Sequence, residues 1–227
     1  FHPLTSILRH LRQNDKAMIM IGGATANNEY EEYLKQDLAQ IALLKEGESK
    51  IRWLLEHFFA VETGMVGKSP GAVAGLAFPF LGSIEITSGE NLHSSMERNI
   101  VETYTLIPIE DYHHIGSLSP YSRMAGMEKP FSVFQLNRGC RANCKFCDVS
   151  KFMGRGVRTH PVKEVVKELT YLVEERGIRH FEVLDDDFLG NLLAVKELLR
   201  EMAILHQKYD MTWSANNGLI AGSLTEE

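Results

Sequence analysis

Short apolar runs alternate with amphipathic stretches along this chain, which is the rhythm of an α/β protein. Thr5 to Leu11 reads as the end of a helix. Ala17-Met18-Ile19-Met20-Ile21 is a short apolar run that stops at Gly22-Gly23, as a buried parallel strand does. Tyr30 to Leu38 reads as a helix and Ile41-Ala42-Leu43-Leu44 as a second buried strand. Glu46-Gly47-Glu48 follows, then an amphipathic helix with Ile51, Leu54, Leu55 and Phe58 at helical spacing. The pattern predicts a doubly wound α/β domain over residues 1–62.

Residues 63–128 have another texture. Gly, Ser and Pro cluster between Gly64 and Gly75, while Ala77-Phe78 and Ile84-Glu85-Ile86-Thr87 read as hairpin strands around Leu81-Gly82-Ser83. The stretch to Glu128 is expected to be a connector, punctuated by Pro108, Pro120 and Pro130. A second α/β rhythm fills residues 129–227. Phe131 to Leu136 is its first strand. A helix opens at Pro161 with Val162, Val165, Val166, Leu169, Leu172 and Val173 as its apolar stripe, and Gly177 ends it. Ile178 to Leu184 is the next strand, closing on Asp185-Asp186-Asp187. Asn191 caps another helix, with Leu192, Val195, Leu198, Leu199 and Met202 on one face, and Met211 to Ala215 is a third strand. The order β-α-β-α-β opens a parallel sheet or barrel.

Composition narrows the function classes. The chain has 227 residues, a formal net charge of −6 and a pI near 5.9, which gives no support to nucleic-acid binding by bulk electrostatics. No apolar run reaches the length of a membrane span, and the first residues, which start without Met, lack the apolar core of a signal peptide. Residue 1 is read as an internal point of a longer protein. The three cysteines all lie between positions 140 and 147. An odd number packed so closely is a poor disulfide framework, and reduced thiols point to the cytoplasm.

Those cysteines carry the chemistry. Cys140-Arg-Ala-Asn-Cys144-Lys-Phe-Cys147 is C-x-x-x-C-x-x-C. Soft thiolates select iron–sulfur clusters, zinc or copper(I). Three of them hold three irons of a cubane, and with no fourth cysteine one iron is left open to a small molecule. The rival is a zinc site completed by His160 or His180, although zinc loops usually come as paired C-x-x-C knuckles.

The spacing, the aromatic Phe146 before the last cysteine, and the place directly after a first strand resemble the signature loop of the radical S-adenosylmethionine (SAM) superfamily. The resemblance implies a [4Fe–4S] cluster on Cys140, Cys144 and Cys147. It implies that the amino and carboxylate groups of SAM chelate the open iron. Reductive cleavage of SAM then gives methionine and a 5′-deoxyadenosyl radical that abstracts hydrogen from a small-molecule substrate. A reductant such as flavodoxin or ferredoxin is implied as partner. Phe146 and, at the end of the second strand, Asp185, Asp186 and Asp187 are expected near SAM. The aspartates match the family by position, since the chain lacks Gly-Gly-Glu; a helix-capping acidic loop is the plain alternative. Ser214 and Asn216, with Asn217, end the third strand and are expected to reach SAM too; a strand-to-helix turn is the plain alternative. Arg138, Arg141, Lys145, Lys151, Arg155 and Arg158 flank the loop, as a solvated basic face or as balance for the cluster's charge.

In the first half, Gly22-Gly23-Ala24-Thr25 after a strand and Glu46-Gly47-Glu48 before a helix look like the last part of a flavodoxin-like, Rossmann-type cobalamin-binding domain. In that family the double glycine admits the nucleotide tail of cobalamin. The upstream D-x-H-x-x-G loop is missing. Asp111-Tyr-His113-His-Ile-Gly116 matches its pattern but lies in the connector, where no Rossmann strand precedes it, and is read as accidental. The expectation is thus a partial cobalamin-binding domain followed by the first half of a radical SAM partial (β/α) barrel, with methyl transfer, cyclisation or rearrangement as the reaction. A radical SAM enzyme without cobalamin, and a non-catalytic zinc or iron–sulfur module, are the alternatives.

Overall fold

The computed structural model describes residues 3–14, 17–62, 73–88, 96, 100–114 and 129–224. The chain divides into two units, Phe1–Ser95 with Lys151–Met153, and Met96–Ser150 with Gly154–Glu227.

In the first unit, α1 (Pro3–Asn14), β1 (Met20–Gly22), α2 (Gly23–Lys35), β2 (Ile41–Leu43), α3 (Glu48–Glu62), β3 (Leu76–Phe80) and β4 (Ser83–Ile86) follow in order. One sheet, β1-β2-β3-β4, joins the four strands. β1 and β2 pair in parallel, Ile21 opposite Ala42, as the two apolar runs predict. The helix expected from Tyr30 starts at Gly23 instead. Gly22 is extended and Gly23 is left-handed at φ +89°, so the chain turns from strand to helix with no loop between. The early turns are small and polar, and Ala26 is their buried contact, so hydrophobic periodicity does not reveal them.

α3 is also turned from expectation. Leu54 is buried, but Ile51 and Leu55 are 40% and 44% exposed. Lys50 takes the inward place, 4% exposed, its ammonium donating to the Leu44 carbonyl at the end of β2. Its aliphatic stem packs as a hydrophobe would while the charge finds one oxygen, and burial pushes its pKa down. Phe58 lies outside the residues whose side chains are described.

The hairpin forms where the sequence placed it. Leu81 and Gly82 are both left-handed, φ +47° and +83°, the conformation of a two-residue turn that matches strand twist. β3 also pairs antiparallel with β2, Ala77 opposite Ala42, so the hairpin extends the first sheet.

The second unit contains α4 (Ile100–Thr103), a 3-10 turn (Ile109–His114), β5 (Phe131–Phe134), β6 (Asn137–Arg138), α5 (Val149–Phe152, which runs past the unit's edge), β7 (Arg158–Thr159), α6 (Val162–Glu175), β8 (His180–Val183), a 3-10 turn (Phe188–Gly190), α7 (Leu192–Tyr209), β9 (Thr212–Ser214) and a last 3-10 turn (Ala221–Ser223). β5, β8 and β9 form a parallel sheet in that order. The predicted stripe of α6 is its buried face. Val165, Leu169 and Leu172 are inaccessible to solvent and share one core with Phe134, Phe181 and Leu198. Each such side chain contributes about 1.5–3 kcal/mol by leaving water. Gly177, at φ +67°, ends α6, and the Asn191 side chain accepts the Ala194 amide to start α7. Asp111 and Tyr112 of the D-x-H-x-x-G match sit in a 3-10 turn after α4; its Gly116 lies outside the described residues. Among the described residues no helix is long and apolar enough to cross a membrane.

Candidate cluster-binding site

Parallel pairing brings the C-terminal ends of β5, β8 and β9 to one edge of the sheet, and the cysteine loop leaves β5 there. The loop has a closed neck. β6 and β7 pair antiparallel, Asn137 opposite Thr159 and Arg138 opposite Arg158, and the His160 amide reaches the Leu136 carbonyl at 2.8 Å. Gly139 sits at φ +89°, and a Cβ there would fall 2.4 Å from the Gly156 carbonyl oxygen. The close approach lets the Gly156 amide donate to the Cys140 carbonyl at 3.1 Å.

The turn after β8 anchors that neck. Both oxygens of Asp185 accept backbone amides, from Leu136 at 2.8 Å and Asn137 at 2.7 Å. Asn137 is fully buried. Its amide nitrogen donates to the Phe188 carbonyl at 2.9 Å, and its amide oxygen accepts from the Thr159 hydroxyl at 2.7 Å. Thr159 in turn accepts from Asn191, the α7 cap, at 3.1 Å. At Gly190 a Cβ would meet Val157 at 2.5 Å, so the loop's return limb lies hard against the β8–α7 turn.

Burial pushes Asp185 up to about 7, against the pull of the two amides. A carboxyl that titrates near 4 when unfolded binds its proton more tightly in this fold. The stability it contributes is therefore full below about pH 4 and is lost as pH rises through 7, at up to about 1.4 kcal/mol per unit. Asp185→Asn should flatten the decline of the melting temperature between pH 4 and 7. An unchanged slope would show that the carboxyl is not the titrating group.

The third aspartate has another task. The Asp187 side chain is wholly buried, and Arg141 grips it with Nε at 2.6 Å and Nη2 at 3.0 Å. The Arg141 backbone amide adds a contact at 3.2 Å. Burial alone would raise the Asp187 pKa, but the guanidinium and the amide overcome it and hold the carboxylate ionised. Asp186 is half-buried, and burial raises its pKa. Among the described residues its carboxylate has no hydrogen-bond or ionic partner.

Cys140 and Cys147 are half-buried and Cys144 is exposed, and none forms a disulfide. The Cys147 amide turns back to the Cys144 carbonyl at 3.1 Å, and the Ala142 amide donates to the Cys140 sulfur at 3.4 Å. Burial pushes the Cys140 thiol up, and Asp187, Asp186 and Cys147 act the same way. Phe146 is 92% exposed. Among the described residues no three His, Cys, Asp or Glu side chains converge closely enough to hold a single metal ion. A cubane takes each thiolate at a separate iron corner. The two histidines of the zinc alternative are engaged elsewhere. His160 meets the Met96 carbonyl at 2.6 Å, and His180 lies between the hydroxyls of Thr212 and Ser214 at 2.9 and 3.3 Å. Three soft donors on one anchored loop, at the edge where a parallel sheet gathers its ligands, fit the cluster.

Of the residues singled out in the sequence, the cysteine loop and Asp185–Asp187 come together directly. Asn217 joins them by donating to the Leu184 and Asp185 carbonyls at 3.1 and 3.3 Å. Ser214 is held by His180, and Asn216 is exposed. Gly22 and Gly23 form the β1–α2 turn of the first unit, where a Cβ on Gly23 would meet nothing within 4 Å. Sequence reading missed Asn137, Gly139, Thr159 and the grip of Asp187 on Arg141. The one local signal was Asn137-Arg138-Gly139 directly before the first cysteine.

Residues 134–227 match the Radical SAM superfamily. The chain is 28% identical over 151 residues to an uncharacterized methyltransferase of Pyrococcus horikoshii, covering 66% of this chain and 30% of that protein. It is 26% identical over 231 residues to the cytidylyl-2-hydroxyethylphosphonate methyltransferase of Streptomyces wedmorensis, covering 93% of this chain and 41% of that enzyme. Its fold is similar to that of TsrM from Kitasatospora setae, a radical S-adenosylmethionine methyltransferase solved with cobalamin and a [4Fe–4S] cluster bound. The TM-score is 0.59 at 17% identity, over 90% of this chain and 37% of TsrM. The chain thus spans less than half the length of these relatives.

Proposed function

From the match of residues 134–227 to the Radical SAM superfamily, we propose that this chain is the cluster-bearing part of a radical SAM enzyme, a cobalamin-dependent methyltransferase acting on a small molecule. The anchored loop of Cys140, Cys144 and Cys147 at the C-terminal edge of a parallel β-α-β-α-β unit carries the reading. The family match implies a [4Fe–4S] cluster and SAM. When bound, they supply a hydrogen-abstracting 5′-deoxyadenosyl radical, chemistry that no side chain here performs.

The chain's own residues hold and orient. The three thiolates of Cys140, Cys144 and Cys147 would hold the cluster. With Asp185 committed to the backbone and Asp187 to Arg141, Asp186 is the carboxylate that meets the ammonium of SAM. Phe146 offers an exposed ring to the adenine, and Ser214 and Asn216 take the far side of the same edge. Gly22 and Gly23 make the β1–α2 turn, open beside Gly23, that would take the tail of cobalamin. Methyl transfer is the reaction of the Streptomyces wedmorensis enzyme and of TsrM; cyclisation or rearrangement uses the same parts. A flavodoxin or ferredoxin would serve as reductant, and closely spaced thiols without a disulfide suit a reducing compartment such as the cytoplasm.

The test is anaerobic reconstitution with iron and sulfide, then EPR of the reduced protein with and without SAM. The reading requires a cubane signal that changes on adding SAM. Asp186→Asn should keep the signal and weaken SAM binding by about tenfold, the loss of one charged hydrogen bond. Zinc in place of iron, or a cluster blind to SAM in folded protein, would leave a structural or electron-transfer module. Titration with hydroxocobalamin, followed by absorbance, tests the first unit separately.

A further inference from the structure

We propose that Arg141 is a positioning residue that fixes the first cluster thiolate, Cys140, to the turn after β8 and the 3-10 turn beyond β9. The inference rests on the reading of the cysteine loop given above. Arg141 directly follows Cys140, so any displacement of its backbone moves the sulfur with it. Its guanidinium forks onto Asp187, in the turn after β8, at 2.6 and 3.0 Å, and its backbone amide adds a third bond to the same carboxylate. Nη2 also donates to the Ser223 hydroxyl at 2.9 Å, in the 3-10 turn beyond β9. One side chain therefore joins the loop leaving β5 to the chain beyond the other two strands.

The fork geometry matters as much as the charge. A planar guanidinium meets two acceptors in fixed directions, whereas a lysine ammonium supplies a point charge on a flexible stem. Asp187, wholly buried, holds the other end rigid. The placement gives Arg141 a role that a solvated basic face lacks: it holds the Cys140 end of the loop against the turn that carries Asp186 and Asp187.

The experiment compares wild type with Arg141→Gln, Arg141→Lys and Ser223→Ala after identical anaerobic reconstitution. It reads iron and sulfide content, the midpoint potential of the cluster, and the SAM-induced change in its EPR spectrum. All three cysteines remain in every variant, so iron content should stay near that of wild type. SAM affinity should fall about tenfold in Arg141→Gln, with the spectral change on SAM diminished. Arg141→Lys should stay impaired, because charge without the fork does not fix the loop. Ser223→Ala leaves the ion pair intact and should show a smaller loss, about two- to threefold, in the same direction. If Arg141→Gln responds to SAM as wild type does, or Arg141→Lys restores the response in full, the proposal is overturned. If Arg141→Gln fails to fold, a wild-type response in Ser223→Ala overturns it. A wild-type protein that takes no cluster, or one blind to SAM, fails earlier and sinks the reading of the loop itself.

Discussion

Replacing Gly139 by alanine will destabilise the second unit and empty its cysteine loop. The residue sits at φ +89°, where a side chain is already strained, and the added methyl would lie 2.4 Å from a backbone oxygen, that of Gly156. A flexible side chain could turn aside, but a carbonyl in a hydrogen-bonded neck cannot. Moving Gly156 breaks the hydrogen bond its amide donates to the Cys140 carbonyl and pulls on the β6–β7 pairing. The expected loss is about 3–5 kcal/mol, at the upper end for a single substitution, because strain and a steric clash coincide. Denaturant unfolding followed by iron assay checks both parts. Gly154→Ala is the control: its φ is +84°, but a Cβ there has nothing within 4 Å, so only the conformational cost of about 1 kcal/mol applies. If the two variants unfold at the same denaturant concentration, the close approach at Gly139 is not what shapes the loop.

Removing a cysteine should have the opposite profile, with stability kept and chemistry lost. Cys144 is exposed and belongs to none of the hydrophobic clusters, so Cys144→Ala should change the stability of the metal-free protein by less than about 0.5 kcal/mol. Two thiolates cannot hold the three irons the loop is read to bind, so reconstituted iron and labile sulfide should fall to background. SAM cleavage should fall below detection, since its rate depends on the cluster entirely. A Cys144→Ala protein that keeps its full iron content and its spectral response to SAM would remove that residue from the ligand set.

Sequence reading reached different depths in the two halves of the chain. The α6 stripe, the Asn191 cap and the three parallel strands of the second unit were legible, because each rests on residues within a turn or two of one another. The start of α2 was not, since Gly23, Ala24 and Asn27 hide a helix that tertiary context enforces. Ile51 and Leu55 were assigned inward by type, while Lys50 took the buried place because the Leu44 carbonyl was there to receive it. The cysteines announced themselves by spacing. Their supports did not, because Asn137 and Asp185 lie 48 positions apart, and so their contact leaves no local pattern. The three aspartates looked equivalent in the sequence. The fold separates them into a backbone latch, an uncommitted carboxylate and the partner of an arginine.

The short strand β9 has a practical bearing on handling this polypeptide. Among the described residues it pairs only with β8, which leaves its other side open in this stretch of chain. Beside the strand, Leu199, Met202, Ala203 and Met211 line an open groove of about 400 Å³, with Trp213 over a third exposed at its margin. A strand with an open side next to an oily trough is a template for sticking to a second molecule, and only its length of three residues limits the hazard. Preparations should therefore stay dilute and cold. A charged residue at Thr212, whose side chain is partly exposed, is the first substitution to try against precipitation.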